Sequence, residues 1–219
     1  MLEAWEPTLD GLVARIHLAG DDSPRELVLP VPGEHMALNA LAALIAVRDY
    51  GGDVSEALEA LTHFGGVNRR FQYHGHVGGI RVYDDYAHHP TEARAVLTAA
   101  REVADADAQG LGHPGRVIVC FQPHLFSRTE QFAEEFAKAL DLADYAIVLD
   151  IYGAREKPIP GVTSELITTQ LTIPHKYQPD FSKVPYDVAA IAEPGDIVLT
   201  MGAGNVTMEA DAVIALLKG

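Results

Sequence analysis

The sequence predicts an α/β protein in which residues 69–219 form a doubly wound, mostly parallel sheet, preceded by a β-hairpin and two helices. Three observations carry this. Short apolar runs alternate with helix-period segments from Arg69 onward, the pattern of a parallel sheet covered on both faces. Those runs end in polar clusters that lead at once into helix starts, where open α/β sheets bind ligands. Before residue 69 the pattern differs, with β-like alternation and then two helical stretches.

Near the amino terminus, 12–18 and 26–31 are apolar alternating runs around Gly20-Asp21-Asp22-Ser23-Pro24, a turn signal. After Pro32-Gly33 the period changes. Leu38, Leu41, Ala42, Ile45 and Val47 suit the apolar face of a helix ending at Gly51-Gly52. Asp53-Val54-Ser55-Glu56 reads as a capping box for a second helix. Gly65-Gly66-Val67-Asn68 breaks the pattern and marks a domain boundary, with domains at 1–66 and 69–219. Strands are expected at 79–84, 116–121, 145–149, 174–178 and 196–201. Helices are expected near 90–104, 128–141, 164–171, 185–192 and 206–217. Pro90 sits where a missing N–H costs nothing. Ser127-Arg128-Thr129-Glu130 reads as a second capping box. Gly110–Gly115 reads as an exposed loop.

The 219 residues are 48% hydrophobic and carry a net charge of −15. That charge argues against a nucleic-acid or anionic-membrane surface, so an anionic substrate must be met by a few placed Arg and His residues. The one cysteine, Cys120, lies in an apolar run and reads as a buried, inert thiol. With no signal-peptide pattern and no run of membrane-spanning length, a cytoplasmic protein is expected.

The chemistry concentrates at the strand ends. Asp84, Asp85, Tyr86, His88 and His89 follow one run; Gln122, His124, Ser127 and Arg128 follow the next. Asp150 and Tyr152 follow the third, and Gly202-Ala203-Gly204-Asn205 the last. His88-His89 lacks a third ligand at a metal-binding spacing, so a helix cap or substrate contact is expected and no metal site. The Gly202–Thr207 stretch lacks the third glycine of a dinucleotide fingerprint and reads as a tight turn near a helix start. His35 and Asn39 share a helix face at i and i+4; Asn39, among apolar neighbours, reads as partly buried, and its amide suits adenine's donor–acceptor edge. None of the five lysines ends a glycine loop or precedes Ser or Thr, so the chain has no P-loop.

Four segments together resemble the Mur ligase family: Gly33-Glu34-His35-x-x-x-Asn39-Ala40, Arg69-Arg70-Phe71, Tyr83–Glu92 and Phe121-Gln122-Pro123-His124-x-x-Ser127-Arg128-Thr129. The resemblance implies that 1–66 is the tail of a central ATPase domain and 69–219 a complete Rossmann-like carboxyl-terminal domain. It implies ATP-dependent amide formation through an acyl phosphate in peptidoglycan synthesis, with UDP-N-acetylmuramate and L-alanine as substrates. ATP and Mg2+ are the implied cofactors. The metal ligands and the P-loop lie in the remaining central and amino-terminal domains, so this chain alone is expected to be inactive. By the same resemblance, His35 and Asn39 contact adenine, and Arg70 and Asp85 hold the ribose and phosphates. Tyr86, His88, His124 and Arg128 face the alanine, and His88 and His124 are the candidate proton acceptors. The resemblance leads one to expect a basic residue after Phe-Gln-Pro-His, where this chain has Leu125. Two alternatives stand beside this reading: another ligase of the superfamily, such as a folylpolyglutamate synthase, and a non-catalytic nucleotide-binding module.

Overall fold

A computed structural model describes residues 1–8, 11–106 and 114–218 of the chain. The chain divides into two compact units, Met1–Val67 and Asn68–Gly219.

The first unit is an antiparallel meander with two helices. Its strands are β1 (Leu2–Thr8), β2 (Gly11–Ile16) and β3 (Arg25–Leu29), in the order β1-β2-β3. The sequence pattern indicated only the β2–β3 hairpin. β1 is an edge strand whose residues are all at least partly exposed, so it lacks the apolar alternation that betrays a half-buried strand. Helix α1 (Glu34–Asp49) covers the sheet with Met36, Ala37, Ala40, Leu41 and Leu44. The apolar face is rotated from the one expected. Leu38 and Ala42 are exposed, and the buried stripe follows Ala37, Ala40, Leu41 and Leu44 at helical spacing. Asp53 caps α2 (Val54–Leu61) by accepting from the N–H groups of Ser55 (2.6 Å) and Glu56 (3.3 Å).

The second unit is doubly wound. Its sheet has the order β4-β5-β9-β6-β7-β8, where β4 is Gln72–Val77, β5 Ile80–Asp85, β6 Val117–Phe121, β7 Tyr145–Leu149, β8 His175–Gln178 and β9 Ile197–Met201. Every neighbouring pair is parallel except β4–β5. Side chains alternate across β6, so Val117, Val119 and Phe121 enter one core layer and Ile118 and Cys120 the other. The first layer is closed by α3 (Pro90–Ala106) and α4 (Phe126–Leu140), through Val96, Leu97, Ala100, Phe136 and Leu140. The second is closed by α6 (Val184–Ile191) and α7 (Thr207–Leu217), through Val184, Val188 and Val213. Helix α5 (Glu165–Thr168) is a single turn, shorter than the expected 164–171.

Strand β4 was absent from the expected set. Its residues Gln72-Tyr73-His74-Gly75-His76-Val77 are mostly polar, and the strand sits at the edge, where one side needs no apolar cover. Gly78 and Gly79, both at positive φ (60° and 82°), form the two-residue hairpin turn to β5. Of the expected exposed loop at 110–115, residues 110–113 lie outside the described residues, and Gly115 is buried. A Cβ there would come within 2.1 Å of the Gly195 carbonyl oxygen.

Candidate functional site

The carboxyl ends of β5, β9, β6 and β7 form one rim of the second unit. At the end of β5 two carboxylates face opposite ways, and both are buried. Asp84 accepts from the hydroxyls of Thr200 and Thr207, each at 2.7 Å, and from Arg69 Nε at 3.3 Å. Asp85 accepts from the Phe71 N–H at 2.7 Å and the Ala87 N–H at 2.6 Å, and is only 1% exposed. Burial pushes its carboxyl up to about 6, against the pull of those two N–H groups and of Arg70. Asp85 was expected to accept ribose hydroxyls. In this geometry each oxygen accepts one backbone N–H, so Asp85 also anchors the Arg69–Phe71 segment.

That segment is strained. Arg69 and Phe71 adopt φ values of 60° and 45°, left-handed conformations that non-glycine residues seldom take. Phe71 is locked in by stacking on Tyr83 at 4.5 Å. Between them Arg70 is exposed, with its guanidinium 6.0 Å from the Tyr86 ring centre.

A row of rings crosses the rim. Tyr86 packs edge-on against His88 at 5.2 Å, His88 against His124 at 5.6 Å, and His124 stacks on Tyr152 at 5.7 Å. The two histidines differ in their hydrogen bonds. His88 Nδ1 lies 3.0 Å from the Tyr86 carbonyl oxygen and 3.5 Å from Glu92 Oε2. Both are acceptors, so Nδ1 carries the hydrogen and Nε2 of the neutral ring holds a lone pair. His124 Nδ1 lies 3.3 Å from Arg128 Nη1, a donor, so its Nε2 carries the hydrogen. Burial lowers the His124 pKa, and the Arg128 charge adds to this, which favours the neutral ring.

Arg128 draws these groups together, since its Nη1 also lies 3.4 Å from the His88 carbonyl oxygen. Its position in the first turn of α4 comes from an unexpected cap. The Ser127–Glu130 capping box does not form. Leu125 holds the N-cap position with φ 73° and no side-chain cap bond. Glu156, from the loop after β7, accepts from the Ser127 N–H at 3.0 Å and the Ser127 hydroxyl at 2.5 Å. The same loop donates the Tyr152 N–H to the Pro123 carbonyl, and the Tyr152 carbonyl accepts the Leu125 N–H.

Gln122 is structural. Its amide nitrogen donates to Asn205 Oδ1 at 2.9 Å, and its oxygen accepts the Val206 N–H at 3.2 Å. Gly204 makes this possible, because a Cβ there would stand 2.2 Å from Gln122 Oε1. Asp150 accepts the hydroxyl of Tyr177, which burial and this bond push up to about 12.

The Mur ligase, glutamate ligase domain model matches residues 69–204, more than half of the chain. The chain belongs to the Mur ligase family. A UDP-N-acetylmuramate–L-alanine ligase from Rhodococcus opacus (strain B4) is 55% identical over 215 residues, which are 95% of this chain and 43% of that protein. The corresponding ligase from Nocardia farcinica (strain IFM 10152) is 54% identical, over 99% of this chain and 44% of its own length. The chain thus spans less than half the length of the curated relatives it matches. A solved UDP-N-acetylmuramate-alanine ligase from Thermotoga maritima superposes with a TM-score of 0.78 at 30% identity, over 98% of this chain and 44% of that one. A folylpolyglutamate synthase from Mycobacterium tuberculosis shares the fold at a TM-score of 0.70 and 17% identity, over 98% of this chain and 47% of that one.

In this Mur ligase chain the rim brings together Tyr86, His88, His124 and Arg128, and places Arg70 at the edge of the same row. His35 and Asn39 belong to the first unit, on α1. His35 is half-buried, and Asn39 is exposed rather than partly buried as expected. Sequence reasoning missed three contributors. Arg69 lies in the Arg-Arg-Phe motif, where nothing in the local sequence signals its contacts. Glu92 accepts the N–H groups of His88 and His89 at 3.0 and 3.2 Å, a signal present in its spacing from the helix start. Glu156 carries no local signal, because its partner lies 29 residues away.

Proposed function

We propose that the chain is the tail of the central domain (1–66) and the carboxyl-terminal domain (69–219) of an ATP-dependent ligase. The enzyme joins L-alanine to the carboxylate of UDP-N-acetylmuramate in peptidoglycan synthesis, in the cytoplasm. The single observation that carries the reading is the cluster of Arg128, His124 and His88 on the rim. One guanidinium is held beside a neutral imidazole that donates from Nε2 and another whose Nε2 can accept. An amino acid at neutral pH presents a carboxylate and an ammonium, and this set answers both. Arg128 binds the carboxylate through its remaining N–H groups. His88 Nε2 accepts the ammonium proton, with Nδ1–H fixed by the Tyr86 carbonyl. Tyr86 and Tyr152 wall the site.

The freed amine attacks the acyl phosphate formed from ATP and the sugar carboxylate, and the tetrahedral intermediate expels phosphate. For ATP, His35 and Asn39 are assigned to the adenine, and Arg70, whose exposed guanidinium suits an anion, is assigned with Asp85 to the ribose and phosphates. Mg2+ is assigned, as the resemblance implies, to ligands in the rest of the enzyme. No helix of the described residues is long and apolar enough to cross a membrane.

The test is phosphate release by the full-length enzyme with ATP, UDP-N-acetylmuramate and a panel of amino acids. L-alanine should support it and glutamate should not. Release that needs glutamate and a folate, or none with any pair, would replace this reading with a polyglutamylating ligase or a non-catalytic module.

A further inference from the structure

Arg69 reaches three segments of the rim, and no role above uses it. Its Nε meets Asp84 at 3.3 Å, and its Nη2 donates to the carbonyl oxygens of Gly202 (2.5 Å) and Gly204 (3.2 Å). Its guanidinium carbon lies 4.7 Å from the Tyr86 ring centre. Its own carbonyl accepts the Tyr86 N–H at 2.8 Å, and its N–H donates to Gln72 Oε1 at 2.8 Å. One residue thus sets both the backbone and the ring of Tyr86, the first ring of the row that runs through His88 and His124 to Tyr152.

We propose that Arg69 is a positioning residue for the amino-acid side of the site, acting through Tyr86 and the Gly202–Gly204 turn without touching substrate. This rests on the ligase reading. The planar fork is what the place demands: one face lies on a ring while separate N–H groups reach a carboxylate and two carbonyls. An ammonium has the charge but not the shape. The left-handed φ of Arg69 shows that the fold holds the residue there at a cost, as it does for groups whose placement matters. The adjacent arginines divide the work, Arg69 turned into the rim and Arg70 exposed. Without Arg69, the buried Asp84 would keep two hydroxyl partners and lose its cation.

The experiment uses Arg69→Lys in the full-length enzyme, with ATP and L-alanine varied in turn. The expected result is a fall of about ten-fold or more in kcat/KM for L-alanine, since small misplacements of reacting groups are costly, with the ATP KM within about two-fold of wild type. An unchanged L-alanine constant, or an ATP KM that rises in parallel, overturns the proposal. A second readout needs no turnover. In the 219-residue chain, the ring resonances of His88 and His124 should shift in Arg69→Lys and also in Tyr86→Leu, while the Val198 and Leu199 amides stay in place. Unmoved histidine resonances in a folded variant overturn the proposal. Should Arg69→Lys fail to fold, Tyr86→Leu decides whether the ring row transmits position. A wild-type enzyme silent with UDP-N-acetylmuramate and L-alanine sinks the ligase reading, and the histidine shifts still decide the task of Arg69.

Discussion

Asp85→Asn sets two opposed effects against each other. In wild type, burial favours the neutral carboxyl, while the N–H groups of Phe71 and Ala87 and the charge of Arg70 favour the ionised one. Burial wins, and the folded-state value rises to about 6 from the 3.8 of an unperturbed aspartate. Between those values the folded chain keeps a proton that the unfolded chain has released. The stability due to this group is therefore fully present below about pH 4 and is lost as pH rises to about 6, by roughly 3 kcal/mol for a shift of about two units. Asparagine cannot titrate. It keeps one acceptor for two N–H donors and turns its amide on the other, a cost of about 1–3 kcal/mol. Near pH 4 the variant should thus be less stable than wild type by that amount. The deficit should shrink toward zero, or reverse, by about pH 7. Urea unfolding of the chain, followed through the Val198 and Leu199 amide signals across this pH range, measures the difference. A deficit that grows with pH would mean that the two short N–H bonds outweigh burial and that Asp85 is ionised throughout.

Three further outcomes are expected. Arg128→Ala in the full-length enzyme should raise the L-alanine KM by about ten-fold or more, the cost of a charged hydrogen bond left unmade, and leave the ATP KM alone; Leu125→Arg should restore part of it, and an unaltered L-alanine KM places the amino acid elsewhere. The same Arg128→Ala change should move the His124 titration upward, because the guanidinium is one of the charges holding it down; an NMR titration that does not move refutes that contribution. Cys120, fully buried with its thiol pushed up chiefly by burial, should resist alkylation in the native chain and react once it is unfolded in urea; rapid native labelling would contradict its place in the core.

The parts legible in the sequence were those with a local cause. Strands β6, β7 and β9 are buried on both faces, so each reads as a near-continuous apolar run, β5 reads as a shorter one interrupted by Arg81, and polar residues at or right after their ends mark the rim. Strands β1 and β4 stayed hidden because edge positions tolerate polar residues, and only Gly78-Gly79 hinted at the second. The α1 face was misread because alanines, not Leu38, make the close contact with the sheet. On the rim, Tyr86, His88, His124 and Arg128 stand out by residue type and by their place after apolar runs, while their substrate roles rest on the family resemblance. The contacts of Arg69 and Glu156 were not legible, since each depends on partners that folding brings from elsewhere in the chain. The failed capping box at Ser127 shows the same competition. Glu130 was available three residues on, but a carboxylate from the loop after β7 took the place.

The sheet order has a consequence for how this domain is made. Strand β9 lies between β5 and β6, yet it is the last strand in the chain. During synthesis β5 and β6 emerge early and do not pair with each other; β5 has β4 and β6 has β7, but the edge that each turns toward the other stays open until residues 197–201 arrive. Until then two buried strands offer open edges toward one another and toward any other nascent chain, a standing invitation to aggregation. A ribosome that stalls before Ile197, or a frameshift there, would release a polypeptide carrying most of the rim's chemistry and no means of closing its core. Such a product is a natural client for chaperones or proteases. Growth in the cold or under translation stress should therefore reveal the dependence of this domain on them more readily than any assay of the finished protein.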